Sequence, residues 1–142
     1  MDTLTINDTL RNLDCFIGAF PCDMIPNISK RPCGIIINTD PSNKPGQHWV
    51  AIFVPENGRL EYFDSYGLPP MRQEIYNFIS LNNQQGWKFA KIQLQAVDST
   101  TCGLYCMLFI IARCKNIEFE TLMQIFTKHP DINDLLVELY MR

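Results

Sequence analysis

The chain has 142 residues, 46% apolar and 19% charged, which gives one domain with its own core and excludes a disordered tail or a membrane-embedded protein. Twelve Lys and Arg against fifteen Asp and Glu leave a net charge of −3, so overall charge does not draw the chain to nucleic acid. Six cysteines are above average but too few for a disulfide scaffold. Met1 to Leu13 lacks a basic segment followed by an apolar one, so a reducing compartment with free thiols is expected. No CxxC occurs, and His48 and His129 are the only histidines, so no zinc or other metal is expected. The longest apolar run, Leu104 to Ala112, is too short to cross a bilayer, and no membrane partner is expected.

Asn7 to Phe16 reads as a short helix, with Leu10, Leu13 and Ile17 at helical spacing and Asn7 or Asp8 as its cap. Pro21 to Pro32 reads as loop, Gly34 to Asn38 as a buried strand, and Thr39 to Gly46 as loop. Trp49–Val54 and Arg59–Asp64 then form a hairpin around the turn signal Asn57-Gly58. Ser65 to Pro70 breaks the second strand, Met71 to Leu81 is helical, and Trp87 to Gln95 returns as a strand. Cys102 to Lys115, apolar nearly all round, is a helix buried inside the domain. Two short helices follow, about Phe119 to Lys128 and Asn133 to Tyr140, separated at His129-Pro130. Helices and strands interleave without strict alternation, which predicts an α+β fold.

Cys102 lies where the buried helix begins, after Asp98, Ser99, Thr100 and Thr101, all residue types that favour caps and turns. Unpaired N–H groups and the helix dipole at that end favour a thiolate, the nucleophilic form. Gly103 beside it permits close approach of backbone or substrate. His48 stands at the mouth of the first hairpin strand and Asp64 at the far end of the second. A three- or five-residue loop sets them directly opposite, and a two- or four-residue loop makes them offset neighbours. Either way an acid that can orient an imidazole is near one. The three residues supply a nucleophile, a base and an orienting acid. Gln95, at a strand end seven residues before Cys102, could aim its amide N–H at a developing oxyanion, or could simply be a solvated strand end.

Gly46-Gln47-His48-Trp49-Val50, Tyr62-Phe63-Asp64-Ser65-Tyr66-Gly67 and Gln95 followed after six residues by Cys102-Gly103-Leu104-Tyr105-Cys106 resemble the adenain family of adenovirus-type maturation proteases. That family belongs with the Ulp-type SUMO proteases in one clan of cysteine peptidases. Phe16-Ile17-Gly18 and Ile36-Ile37-Asn38-Thr39 extend the likeness, which covers about residues 10 to 115. The resemblance implies a single cysteine protease domain over residues 1–142 and a central mixed sheet flanked by helices. It implies a triad of His48, Asp64 and Cys102, with Gln95 in the oxyanion hole. Trp49, Tyr66 and Gly103 are the expected substrate-binding residues, lining a narrow cleft that selects Gly beside the scissile bond. The Gln-to-Cys spacing, and Thr101 where Ulp-type enzymes usually carry Asp, favour the adenain branch; Asp64, where adenovirus enzymes usually carry Glu, is more Ulp-like.

The expected activity is endopeptidase cleavage of viral structural precursors during virion maturation. The alternatives are an isopeptidase that removes a ubiquitin-like modifier and a non-catalytic binding module. The source resembled is an adenovirus relative or a Maverick/Polinton-type element, and the location an intracellular one: virion and infected-cell nucleus or cytoplasm. Adenains take a disulfide-linked peptide and DNA as activators. Trp87 to Gln95 holds no cysteine and the sequence pI is near 5.3, so no cofactor is expected, neither covalent peptide nor DNA. A non-covalent activating peptide stays open. The five other cysteines read as structural thiols, with any pairing of Cys15, Cys22 and Cys33 left open.

Overall fold

The computed structural model describes residues 1–142. The elements run α1 (Thr3–Leu10), β1 (Phe16–Pro21), β2 (Cys33–Asn38), β3 (Trp49–Val54), β4 (Leu60–Phe63), α2 (Gln73–Asn82), β5 (Trp87–Phe89), α3 (Cys102–Cys114), α4 (Phe119–Met123) and α5 (Pro130–Tyr140). The five strands make one sheet in chain order. β1 pairs with β2 and β4 with β5 in parallel, while β2–β3 and β3–β4 are antiparallel. The sheet is therefore mixed and the fold α+β.

β2 and β3 are apolar at nearly every position because both sheet faces are covered. Ile36, Ala51, Phe53 and Phe63 pack on the side of α3, and Ile35, Ile37, Val50, Ile52 and Tyr62 pack on the side of α2. Each fully buried isoleucine of β2 contributes about 1.5–3 kcal/mol. α3 is apolar all round because it touches β2 and β3 on one side and α1, α4 and α5 on the others. One charged pair is enclosed with it. Arg113 donates to both carboxylate oxygens of Glu61, at 2.7 and 3.0 Å, and its guanidinium lies 4.5 Å from the Phe53 ring centre.

The first helix lies earlier than its spacing predicts. Asp2, not Asn7 or Asp8, caps it by accepting the Thr5 N–H at 2.8 Å, and Ile6 and Leu10 are its buried positions. Asn7 instead accepts the Ala19 N–H at 2.9 Å and ties α1 to β1. β1 itself, Phe16–Pro21, starts on the last residue of the expected helix, ends on the first of the expected loop, and otherwise covers residues for which the sequence predicts no element. The strand expected over Trp87–Gln95 stops at Phe89, and Phe119–Lys128 shortens to Phe119–Met123. Cys15 and Cys114 are disulfide-bonded, with Cα atoms 5.6 Å apart, which corrects the reading of Cys114 as a structural thiol and supplies the partner of Cys15, whose pairing the sequence leaves open. Their pairing spans 99 residues, and no local pattern announces a contact at that separation.

Candidate active site

The β3–β4 hairpin brings His48 and Asp64 together. Its loop, Pro55–Arg59, has five residues, but the register Ala51↔Phe63 centres it on Asn57. Continued outward, that register sets Asp64 opposite Val50, so His48 and Asp64 are offset neighbours, not directly opposed. Their side chains still meet: His48 Nε2 lies 2.9 Å from Asp64 Oδ1. The same oxygen accepts the Tyr66 N–H at 2.8 Å, which fixes the carboxylate, and the Tyr66 ring stacks on the imidazole with centroids 4.9 Å apart. With Nε2 engaged, Nδ1 is the ring nitrogen left for a further partner.

That partner is Cys102, the first residue of α3. The His48 side chain and the backbone N–H groups of Trp49 and Gly103 all act on its thiol. Burial pushes the thiol up, but the imidazole, the two N–H donors and the charge of His48 outweigh it, and the thiol lies below its ordinary range. The imidazole moves the other way. Burial lowers it, yet the hydrogen bonds and charges of Asp64 and Cys102 raise it to about 9. Both shifts favour a thiolate–imidazolium pair at neutral pH.

Gln95 is 1% exposed and stands beside this pair. Its Oε1 accepts the Ser65 hydroxyl at 2.5 Å and its Nε2 donates to the Ser99 carbonyl at 3.0 Å. One of its two amide hydrogens is left over. The backbone supports this placement, because the Leu94 and Gln95 N–H groups both donate to the Ser65 carbonyl, at 2.8 and 3.0 Å. Gln95 is thus a buried, anchored amide, not a solvated strand end. Ser65 was missed from sequence, since nothing local links it to a residue thirty positions away.

A cleft of about 470 Å³ opens over these groups, lined by His48, Trp49, Tyr66, Gln95 and Cys102, with Met1–Thr3, Asp40–Ser42 and Lys44–Gln47 contributing its rim. Gly103 lies under Met1: a Cβ there would come within 2.9 Å of Met1 Sδ and 3.4 Å of Trp49 Cδ1. Trp49 is buried, and its indole N–H donates to the Met1 carbonyl at 3.1 Å. Of the expected substrate-binding residues, Tyr66 and Trp49 line the cleft and Gly103 backs it. The N-terminal residues of its rim carry no sequence signal. The structure brings together no cluster of three His, Cys, Asp or Glu that could hold a metal ion, and no helix is long and apolar enough to cross a membrane.

The adenovirus endoprotease family pattern matches residues 14–135. A cysteine protease of African swine fever virus is 36% identical over 103 residues, covering 63% of this chain and 38% of that protein. Its counterpart from another isolate, 34% identical over 105 residues (65% and 38%), is named a SUMO-1 cysteine protease. A putative thiol protease of Acanthamoeba polyphaga mimivirus is 33% identical, covering 83% of this chain and 47% of that protein. The chain therefore spans less than half the length of these relatives. The crystal structure of the African swine fever virus protease superposes with a TM-score of 0.63 at 23% identity, over 94% of this chain and 63% of that one, which shows a shared fold.

Proposed function

Because the chain belongs to the adenovirus endoprotease family, we propose that it is a single-domain cysteine endopeptidase with His48, Asp64 and Cys102 as its catalytic triad. The observation that carries this reading is the relay itself: Asp64 on His48 at 2.9 Å, and His48 on a thiol held below its ordinary range at a helix N-terminus. The Cys102 thiolate attacks the scissile carbonyl. The Cys102 N–H and the remaining Gln95 amide hydrogen receive the developing oxyanion, each donor contributing about 3 kcal/mol in the transition state. His48, protonated up to about pH 9, gives its Nδ1 proton to the leaving amine and then activates water to release the acyl group. Asp64 holds the ring so that Nδ1 faces the sulfur throughout.

The proposed substrate is a viral structural precursor cut beside Gly. Support comes from the family and from the cleft, where the aromatic side chains Tyr66 and Trp49 line the space beside Cys102. A second reading, removal of a ubiquitin-like modifier, is favoured by the name of the swine fever virus relative as a SUMO-1 cysteine protease. Cleavage of a Gly-Gly-containing precursor segment and of a SUMO-1 conjugate, assayed side by side, separates the two. Cutting of the conjugate alone sinks the maturation reading, and cutting of neither by a protein that folds sinks both. An active-site thiol probe tests the triad: labelling is expected at Cys102, absent in Cys102→Ala and strongly reduced in His48→Ala.

A further inference from the structure

We propose that Asp134, on α5, is a positioning residue that clamps the loop carrying one oxyanion donor, Gln95, and leading into the other, Cys102; the catalytic part of this rests on the function proposed for Cys102 and Gln95. The loop runs from Leu94 to Thr101, without regular structure, between the turn that holds Ser65 and the start of α3. Irregular backbone next to a nucleophile needs partners from elsewhere to keep one conformation. Asp134 supplies two to the loop and a third bond to the first turn of α3. Its Oδ1 accepts the Thr101 hydroxyl at 3.1 Å and the Tyr105 hydroxyl at 2.8 Å, and its Oδ2 accepts the Ala96 N–H at 3.4 Å. The hydrogen of Thr101 being given to Asp134, the Ser99 hydroxyl is the donor in its 3.0 Å contact with Thr101.

The preceding residue completes the clamp. Asn133 is fully buried and donates to the Leu94 carbonyl at 3.2 Å and the Thr127 carbonyl at 3.0 Å. Its Oδ1 accepts the Thr127 N–H at 2.7 Å, which anchors the α4–α5 connection. One dipeptide thus grips the residue before Gln95, the residue after it, and the residue before Cys102. Thr101 is the N-cap position of α3, yet its side chain makes no cap bond, because its hydroxyl is turned to Asp134. The helix end is left uncapped on the side where an oxyanion would sit.

Asp134 touches neither Cys102 nor His48, so its loss should disturb where the oxyanion donors sit while sparing the acidity of the thiol. In Asp134→Ala, kcat on a Gly-containing fluorogenic peptide should fall about 100-fold, the cost of a misplaced oxyanion donor. KM should stay within about twofold, since ground-state binding is untouched. The rate of Cys102 alkylation by iodoacetamide, and its pH profile, should match wild type. Asp134→Asn, which keeps an acceptor for Tyr105 or Thr101, should recover most of kcat, and Glu138→Ala, an exposed carboxylate on the same helix, should leave it unchanged. Hydrogen exchange at the amides of residues 95–101 should quicken in Asp134→Ala. Wild-type kcat in a folded Asp134→Ala, an alkylation profile that shifts along with kcat, or unchanged exchange at 95–101 would each overturn the proposal. A wild-type protein that cuts no peptide defeats the proposed function instead. The exchange measurement then still decides the clamp, faster exchange supporting it and unchanged exchange overturning it.

Discussion

Cys102 and Cys106 stand one helical turn apart, both buried, and differ in what surrounds the sulfur. Cys106 is enclosed with no donor, and burial holds its thiol well above the ordinary range. Cys102 is also desolvated, though less completely, but faces an imidazole and two backbone N–H groups, and it is pulled below that range. A thiolate-selective alkylating probe at pH 7 should therefore modify Cys102 and leave Cys106 untouched, as peptide mapping by mass spectrometry would show. The pH dependence has two limbs with opposite signs. On the acid side, reactivity rises as Cys102 ionises, below the pH of a free thiol. On the alkaline side, turnover falls near pH 9 as His48 loses the proton it must deliver. Asp64→Asn removes the charge and weakens the hydrogen bond that hold His48 up, so the alkaline limb should move to lower pH and kcat should fall at least about 100-fold. An unmoved alkaline limb in kcat/KM profiles would mean that Asp64 does not orient the base. These three residues were legible in the sequence because each sits where an element begins or ends, and the hairpin forces two of those ends together. Gln95 and Asp134 were harder to read, since their partners are set by packing between segments far apart in the chain.

Elements place these groups through contacts that sequence pattern does not encode. The turn after β4 shows this most directly. Asp64, Ser65 and Tyr66 fix the histidine and Gln95, and the turn closes with the Gly67 N–H donating to the Asp64 carbonyl at 2.8 Å. Gly67 has φ +74°, and a Cβ on it would lie 2.6–2.8 Å from the backbone of Ile92. The residue type was readable as a turn former, but the close approach to Ile92 was not. Nor was the end of β5 at Phe89: from Ala90 to Gln95 the backbone leaves the sheet and seats its last two amides on Ser65 instead. Gly67→Ala should lower stability by about 2 kcal/mol or more in thermal unfolding and reduce activity further, because strain there displaces the turn that orients His48 and Gln95. A variant with wild-type kcat would show that the turn tolerates displacement. Deeper in the fold, burial raises the Glu61 carboxyl while the Arg113 guanidinium draws it back. Arg113→Met leaves Glu61 buried without a partner and should cost about 3–5 kcal/mol, whereas the double variant Arg113→Met with Glu61→Leu should recover most of that loss. Chemical denaturation of the three proteins measures the difference, and equal destabilisation of single and double variants would mean that packing, not the stranded charge, sets the cost.

At the scale of the whole molecule, charge and thiol placement bear on activation. Relatives of adenovirus type draw on DNA and on a covalently attached peptide, and we propose that this domain needs neither. The domain carries a net charge of −3. Lys88, on the edge strand, is already held at 3.0 Å by Glu120 and would have to surrender that partner to meet a phosphate. Polyanion binding depends on releasing counterions from several phosphates at once, which demands clustered, unpaired cations. The thiols point the same way. Cys22, Cys33, Cys102 and Cys106 are the free cysteines and all are buried, while Cys15 and Cys114 are joined to each other. A peptide thiol would find the nucleophile itself as its most accessible reactive partner, and that bond would block the site. Saturating double-stranded DNA should thus change kcat/KM by less than about twofold at low salt, where a counterion-release mechanism is strongest. A several-fold stimulation that disappears as salt is raised would instead reveal a phosphate-binding surface that net charge conceals, and would return DNA to the list of this domain's activators.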